Sequence, residues 1–387
     1  MPLHTASFEE IRGGKTTDVY FEHTRQILEA RGRNPRVRAE FVAKALPRDW
    51  PWAVLAGIEE CVAVLDGYDV TVRAMAEGTV FHPLQPVFEI EGQYLEFGLL
   101  ETALLGLLCQ ATGIATAAAR CKRLAGERPL LSFGARRLHP AVTPMIERAA
   151  YIGGCDGVSS LAAAELIQRD PTGTIPHALI LILGDTVDAV QAFDEAIAAE
   201  VPRVALIDTF QDEKFEALRV AEALGERLHA VRLDTPSSRR GNFLQLIREM
   251  RWELDLRGYR HVRIYVSGGI DEEEIQQLAP VADGFGVGSA ISAAPIVDFS
   301  MDIIEMEATP LAKRGKWSGA KQVWRCPQCG VDALLPLAEE GSSCSCGGRR
   351  EPLLQPLLAG GRPARELPSP QAIRDLVLGQ VAHLSAP

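Results

Sequence analysis

Four cysteines near the C-terminus are the first residues whose type and spacing imply chemistry. Cys326 and Cys329 form a C-x-x-C followed by Gly330; Cys344 and Cys346 form a C-x-C followed by Gly347 and Gly348. Two thiol pairs on tight glycine turns can converge on one tetrahedral ion, and zinc suits four soft ligands with no redox demand. Four thiolates leave no open coordination position, so the expectation is a structural Zn2+ that lends folding energy to a segment with little core. Free thiols, or disulfides in an oxidising setting, are the other readings of this spacing. Cys61, Cys109, Cys121 and Cys155 are scattered among apolar or small residues and read as buried thiols of a reducing compartment.

A second set of residues points to anions. Ser267-Gly268-Gly269 follows the apolar run VRIYV, and Gly286-Val287-Gly288-Ser289 follows another short run. Glycine lets backbone N–H groups approach a phosphate closely, while turn-making alone is the plainer reading. Arg136 and Arg137 end one apolar run; Arg232, Asp234, Arg239 and Arg240 surround the end of another. Arginine's planar fork suits carboxylates and phosphates, with surface salt bridging as the alternative. His177, in GTIPHA, reads either as a packed or capping residue or as part of an active-site loop.

The elements that would carry these residues alternate. Apolar runs at 130–134, 203–210, 229–236, 262–270 and 284–291 are separated by helical patterns at 140–153, 159–170, 185–200, 212–228 and 240–254. Such alternation argues for βαβ units and a parallel sheet, with polar residues gathered where strands end. A barrel and an open doubly wound sheet share this pattern. Before it, residues 1–115 show short strands such as VFEI between turn signals, an antiparallel pattern, and then a long apolar helix over 99–120. The expected domains are 1–115, 116–295, and a C-terminal region 296–387. The last opens with LAKRGKWSG (311–319), holds the cysteines within about 324–350, continues through a Pro- and Gly-rich stretch (351–370), and ends in a helix over 371–384.

Composition narrows the class. The chain has 387 residues, 47% hydrophobic and 24% charged, enough for a sizeable core. A formal net charge of −11 disfavours nucleic acid and anionic membranes as partners, though local arginines can still hold small anions. Residues 1–30 carry Glu9, Glu10, Arg12, Lys15, Asp18, Glu22 and Arg25 and no apolar signal core, so a cytoplasmic protein is expected. The apolar stretch Leu99 to Ala119 is long enough for a bilayer but contains Glu101 and Gln110, and reads as a core helix.

The ordered set of motifs resembles the nicotinate phosphoribosyltransferases, within the type II phosphoribosyltransferases that include the quinolinate and nicotinamide enzymes. The resemblance covers nearly the whole chain. It rests on KTTDVYFEHT (15–24), LETALLGLLCQATGIAT (100–116), FGARRLHP (133–140), GGCDGVSS (153–160), GTIPHA (173–178), VRLDTP (231–236), VSGGID (266–271) and GFGVGS (284–289), in that order. The cysteine segment is similar to that of a shorter subgroup. Cys155, Val158 and the Asp234-Thr235-Pro236 turn depart from the commoner family pattern.

The resemblance implies an N-terminal α/β sandwich, an irregular α/β barrel and a small zinc-knuckle-like appendage. It implies transfer of nicotinate to the ribose 5-phosphate of phosphoribosyl pyrophosphate with Mg2+, coupled to ATP. It also implies a homodimer, or a higher oligomer of dimers, with shared active sites. Tyr20, with Asp18, would come from one subunit, and Phe133 and Arg136 from the other. Phe133 and Tyr20 would sandwich the base, with Arg136 or Arg232 on its carboxylate. Ser159 stands where nicotinamide-using relatives place an Asp, which would repel that carboxylate. Asp234 would orient ribose hydroxyls or Mg2+. Ser267, Gly268, Gly269, Gly286 and Gly288 would hold the 5-phosphate, and His177 would accept a phosphoryl group from ATP. A quinolinate enzyme and a non-catalytic binding protein on the same fold are the alternatives.

Overall fold

A computed structural model describes residues 3–236, 238–239 and 241–384. The chain forms two compact units, residues 1–116 with 295–387, and residues 117–294. The region expected to stand alone at the C-terminus thus belongs with the N-terminal residues. Its strands Phe299–Met306 and Gln355–Ala359 complete the first unit's sheet.

That sheet has seven strands, all antiparallel. The order is Thr309–Pro310, Phe299–Met306, Arg36–Ala43, Pro86–Gln93, Val70–Ala74, Gln355–Ala359 and Arg362–Pro363. Two of these strands lie in 351–370, which the sequence presented as a Pro- and Gly-rich stretch. Pro363 sits in the strand that ends the sheet's order, and Pro356 beside a register shift in the strand before it, both places where the loss of an N–H is tolerated. Beside the apolar core this sheet carries ion pairs. Arg38 meets Glu91 at 2.5 Å and Glu305 at 3.2 Å, and Arg73 meets Glu89 at 3.2 Å. Lys321 meets Glu40 at 2.9 Å. Lys313 and Lys316, from LAKRGKWSG, both close on the buried Asp302, at 2.6 and 2.5 Å.

The long helix spans Glu101–Ala125, and the chain passes from one unit to the other within it. The continuous helical stretch Tyr94–Ala125 is long and apolar enough to cross a membrane, yet 67% of its most apolar window is buried, as expected of a core helix.

The second unit is built on six parallel strands. Their order is Gly157–Val158, Leu130–Ser132, Gly284–Val287, Arg263–Val266, Leu228–Leu233 and Arg203–Leu206. Helices follow the strands, as the alternating pattern requires, and the strands form one arc of a barrel. Their near-continuous burial is that of a sheet covered on both faces, and Val204, Ala230 and Tyr265 pack together within it. Local sequence fixes where helices begin. Asp185, Asp212 and Asp271 each cap a helix by accepting backbone N–H groups of its first turn.

Candidate active site

The ends of the parallel strands gather the polar residues in the second unit. Phe133 leaves the Leu130 strand with its N–H donating to the Val287 carbonyl at 2.8 Å. The Arg232 guanidinium lies over its ring, with Cζ 5.4 Å from the centroid. Arg232 Nε is buried with no hydrogen-bond partner. Burial pulls the Arg232 pKa down; Asp234 and Asp208 oppose this and Arg136 adds to it. A partly desolvated guanidinium gains from an anion that pairs with it. Arg136 is exposed on the short turn Ala135–Arg137. Arg239 is exposed, and Arg240 lies outside the described residues.

Asp234 sits one strand from Ser267. The Ser267 hydroxyl lies 2.8 Å from Asp234 Oδ1 and 3.1 Å from the Leu233 carbonyl, and its N–H donates to that carbonyl at 2.8 Å. Ser267, expected on a phosphate, thus also holds Asp234. Gly268 is required by its left-handed backbone (φ 85°) and by the Asp234 carbonyl, 2.6 Å from where a Cβ would stand. The missing side chain of Gly286 makes room for the Phe133 ring. Gly269 and Gly288 remain the open positions of the two turns. A Cβ at Gly269 would meet nothing within 4 Å, and one at Gly288 only the Phe133 carbonyl at 3.7 Å.

His177 opens the helix His177–Leu183, rather than lying in a loop. Its Nδ1 is 3.0 Å from the Thr209 hydroxyl. Its Nε2 stands 3.9 Å from Asp208 Oδ1 and 3.8 Å from Asp234 Oδ2. Burial pushes the Asp208 carboxyl up; His177 opposes this and Asp234 adds to it. Asp208 Oδ1 is buried without a hydrogen bond. Thr235 spans Asp208 Oδ2 at 3.3 Å and Glu213 at 2.8 Å. The Thr209 hydroxyl thus holds Nδ1, while Nε2 is turned toward two carboxylates. Those carboxylates offer hard oxygen donors of the kind Mg2+ prefers.

Ser159 is drawn inward. Its hydroxyl donates to Glu147 at 2.6 Å. Asp208, Thr209 and Glu147 were not among the expected site residues. A signal for two of them is in the sequence: Asp208-Thr209 repeats Asp234-Thr235 on the next strand. Leu206 pairs with Arg232, which makes the two aspartates equivalent positions. Glu147 lies inside an ordinary helical pattern and gives no such signal.

Tyr20 belongs to the first unit. It lies on the helix Val19–Ala30, none of whose residues is buried, and is itself 58% exposed. Its hydroxyl is 3.4 Å from Asp18 Oδ2. The four C-terminal cysteines, also in this unit, bring their sulfurs within 4.8 Å of one another. Cys326 and Cys346 are 3.5 Å apart, and Cys329 and Cys344 3.6 Å. Four sulfurs at about 2.3 Å from a tetrahedral zinc are roughly 3.8 Å apart, so the set fits that ion. The backbone N–H of Cys346 leads the groups that pull the Cys344 thiol down to about 6, which favours the ligating thiolate. Gly330 (φ 71°) and Gly347 (φ 86°) supply the left-handed turns.

Comparison with known proteins gives a consistent picture. Residues 18–112 match the N-terminal domain, and residues 114–302 the C-terminal domain, of quinolinate phosphoribosyl transferase. A nicotinate phosphoribosyltransferase of Mycobacterium tuberculosis is 31% identical over 328 residues, covering 81% of this chain and 68% of that protein. One from Bacillus subtilis is 29% identical, covering 66% and 58%. A crystal structure of nicotinate-nucleotide pyrophosphorylase from Pyrococcus furiosus aligns with a TM-score of 0.97 at 53% identity, over 99% of this chain and 98% of that one. Human nicotinic acid phosphoribosyltransferase aligns at 0.75 and 22% identity over 95% and 94%, a likeness of fold.

Proposed function

We infer nicotinate phosphoribosyl transfer from one premise: the chain belongs to the type II phosphoribosyltransferases, the family of the nicotinate and quinolinate enzymes. The reaction proposed joins the nicotinate ring nitrogen to C1 of phosphoribosyl pyrophosphate, forming nicotinate mononucleotide and releasing pyrophosphate. It is a step that feeds NAD synthesis. The observation that carries this reading is Arg232 over Phe133: an aromatic ring against a half-buried guanidinium whose Nε has no hydrogen-bond partner suits a flat ring bearing a carboxylate. The transfer passes through an oxocarbenium-like state at C1. The protein's task is to align the ring nitrogen and to stabilise the departing pyrophosphate. Asp234 and Asp208 would hold Mg2+, which neutralises charge on the pyrophosphate.

ATP coupling is assigned to His177. Its Nε2 lies 3.9 and 3.8 Å from two carboxylates, and the side chain is 41% exposed, which supports access by a phosphoryl group. A homodimer with shared sites is supported by the helix carrying Tyr20, which is amphipathic yet has no fully buried residue in its own chain. Zn2+ is assigned to Cys326, Cys329, Cys344 and Cys346 in a structural role.

A second reading, quinolinate phosphoribosyl transfer with loss of CO2, draws on the quinolinate description of both matching domains. It needs cations for two carboxylates; Arg232 lies over the Phe133 ring and Arg136 is near enough to depress its pKa, so a panel of bases separates the two readings. The deciding experiment supplies phosphoribosyl pyrophosphate, Mg2+ and ATP to purified protein with nicotinate, nicotinamide or quinolinate, and His177→Ala alongside. Mononucleotide from nicotinate alone, with ADP release lost in the variant, is expected. CO2 release from quinolinate, or no product from any base, would overturn the assignment.

A further inference from the structure

The helix Thr143–Ile152 delivers Glu147 with none of its surface exposed. Its carboxylate accepts four hydrogen bonds from two consecutive residues. Ser159 donates its N–H at 3.0 Å and its hydroxyl at 2.6 Å to Oε1. Ser160 donates its N–H at 2.8 Å and its hydroxyl at 2.5 Å to Oε2. A buried carboxylate satisfied by neutral donors on both oxygens fixes the position and the rotation of the turn that supplies them.

The turn lies at a sensitive place. Ser132 pairs with Val158, so Phe133 and Ser159 leave adjacent parallel strands side by side, roughly 4.8 Å apart in the pairing direction. On the other side of the same strand, Thr172 donates its N–H to the Val158 carbonyl at 2.8 Å. The Thr172 hydroxyl also stands 2.4 Å from where a Gly157 Cβ would be. The segment that leads from Thr172 to His177 is thus tied to the strand that Glu147 clamps.

We propose that Glu147 is a positioning residue for the base: it immobilises the Ser159–Ser160 turn beside Phe133, so that the wall next to the aromatic ring is rigid and its hydroxyls face away from the substrate. The proposal rests on the reading of the site as a nicotinate site. Glu147→Gln keeps the shape but offers one acceptor oxygen and an amide that opposes one backbone N–H and forces the serine hydroxyl beside it to turn round and accept. The turn would loosen, and its freed hydroxyls would turn toward the base.

The test measures KM for nicotinate and for phosphoribosyl pyrophosphate separately, in wild type, Glu147→Gln and Ser159→Ala. The expected result for Glu147→Gln is a rise of about tenfold or more in the nicotinate KM with less than about a twofold change in the other. Ser159→Ala deletes one of the four bonds and little else, and is expected to raise the nicotinate KM alone by about threefold. It decides the matter if the Glu147 variant does not fold. Folded variants in which both constants stay unchanged, or rise together, would overturn the proposal. A wild type inert toward nicotinate would sink the functional reading and this proposal with it. An active wild type with unmoved variants would sink this proposal alone.

Discussion

A Cβ on Gly286 would lie 2.3 Å from Cε2 of Phe133 and 2.4 Å from its Cδ2. The glycine is therefore the floor on which the aromatic ring rests, not only a turn. Gly286→Ala is expected to destabilise the protein by about 1–3 kcal/mol, as overpacking does, and to push the ring off its seat under Arg232. Thermal unfolding together with the nicotinate KM checks this. An unchanged KM in the folded variant would show that the ring's seat does not matter to the base.

Arg232 should be more sensitive than its conservative replacement suggests. Arg232→Lys keeps the charge but loses the planar fork and its stacking on Phe133. A tenfold or larger rise in the nicotinate KM is expected, equivalent to about 1.4 kcal/mol or more. Turnover of nicotinamide, if detectable, should change little, because it has no carboxylate to lose.

Thr209 fixes the His177 ring through Nδ1. Thr209→Val, which keeps the volume and removes the hydroxyl, is expected to lower ADP release by roughly tenfold while leaving more of the transfer reaction intact. His177→Ala should abolish ADP release. Equal loss of both activities in Thr209→Val would argue against a separate ATP-linked role for this histidine.

Glu101 gives a pH signature. Burial raises its carboxyl to about 7; Asp302 and Asp18 add to the rise and Lys313 opposes it. The folded value lies above the ordinary carboxylate value of about 4.3, so the folded state holds the proton more tightly. The corresponding stability is fully present below about pH 4 and is lost as pH rises through about 7. Glu101→Gln mimics the protonated acid. It should match wild type near pH 4 and exceed it at pH 8, by about 1–2 kcal/mol once solvent screening of a partly exposed group is allowed for. Denaturant unfolding at the two pH values measures the difference. Equal curves at both would contradict the raised value.

The cysteine cluster predicts one zinc per chain. Chelation is expected to lower Tm by about 5 °C or more, and Cys329→Ser to reduce zinc content below one per chain. Metal analysis of protein purified without added zinc reads this directly. Full stability with no metal would leave the four sulfurs as free thiols.

Much of this protein is determined by its sequence alone, because the relevant physics is local. Strand–helix alternation specified the parallel sheet of 117–294, since side-chain period and turn residues act over a few positions. The cysteine spacing marked its cluster for the same reason. Aspartates at strand ends marked the polar rim. What only the tertiary structure decided are relationships between residues far apart in the chain. The strands Phe299–Met306 and Gln355–Ala359 join a sheet begun before residue 100, and no local pattern near either announces that partner. The sequence offered Ser267, Gly286 and Ser159 as ligand-binding residues. The fold also joins them to Asp234, Phe133 and Glu147, contacts that no local pattern announces, because close packing fills each gap with whichever side chain converges on it. Glu147 itself is an unremarked residue of a helical repeat until four donors, twelve and thirteen positions away, close on its carboxylate. A carboxylate's partners are set by three-dimensional proximity, and that is the quantity a sequence pattern does not contain.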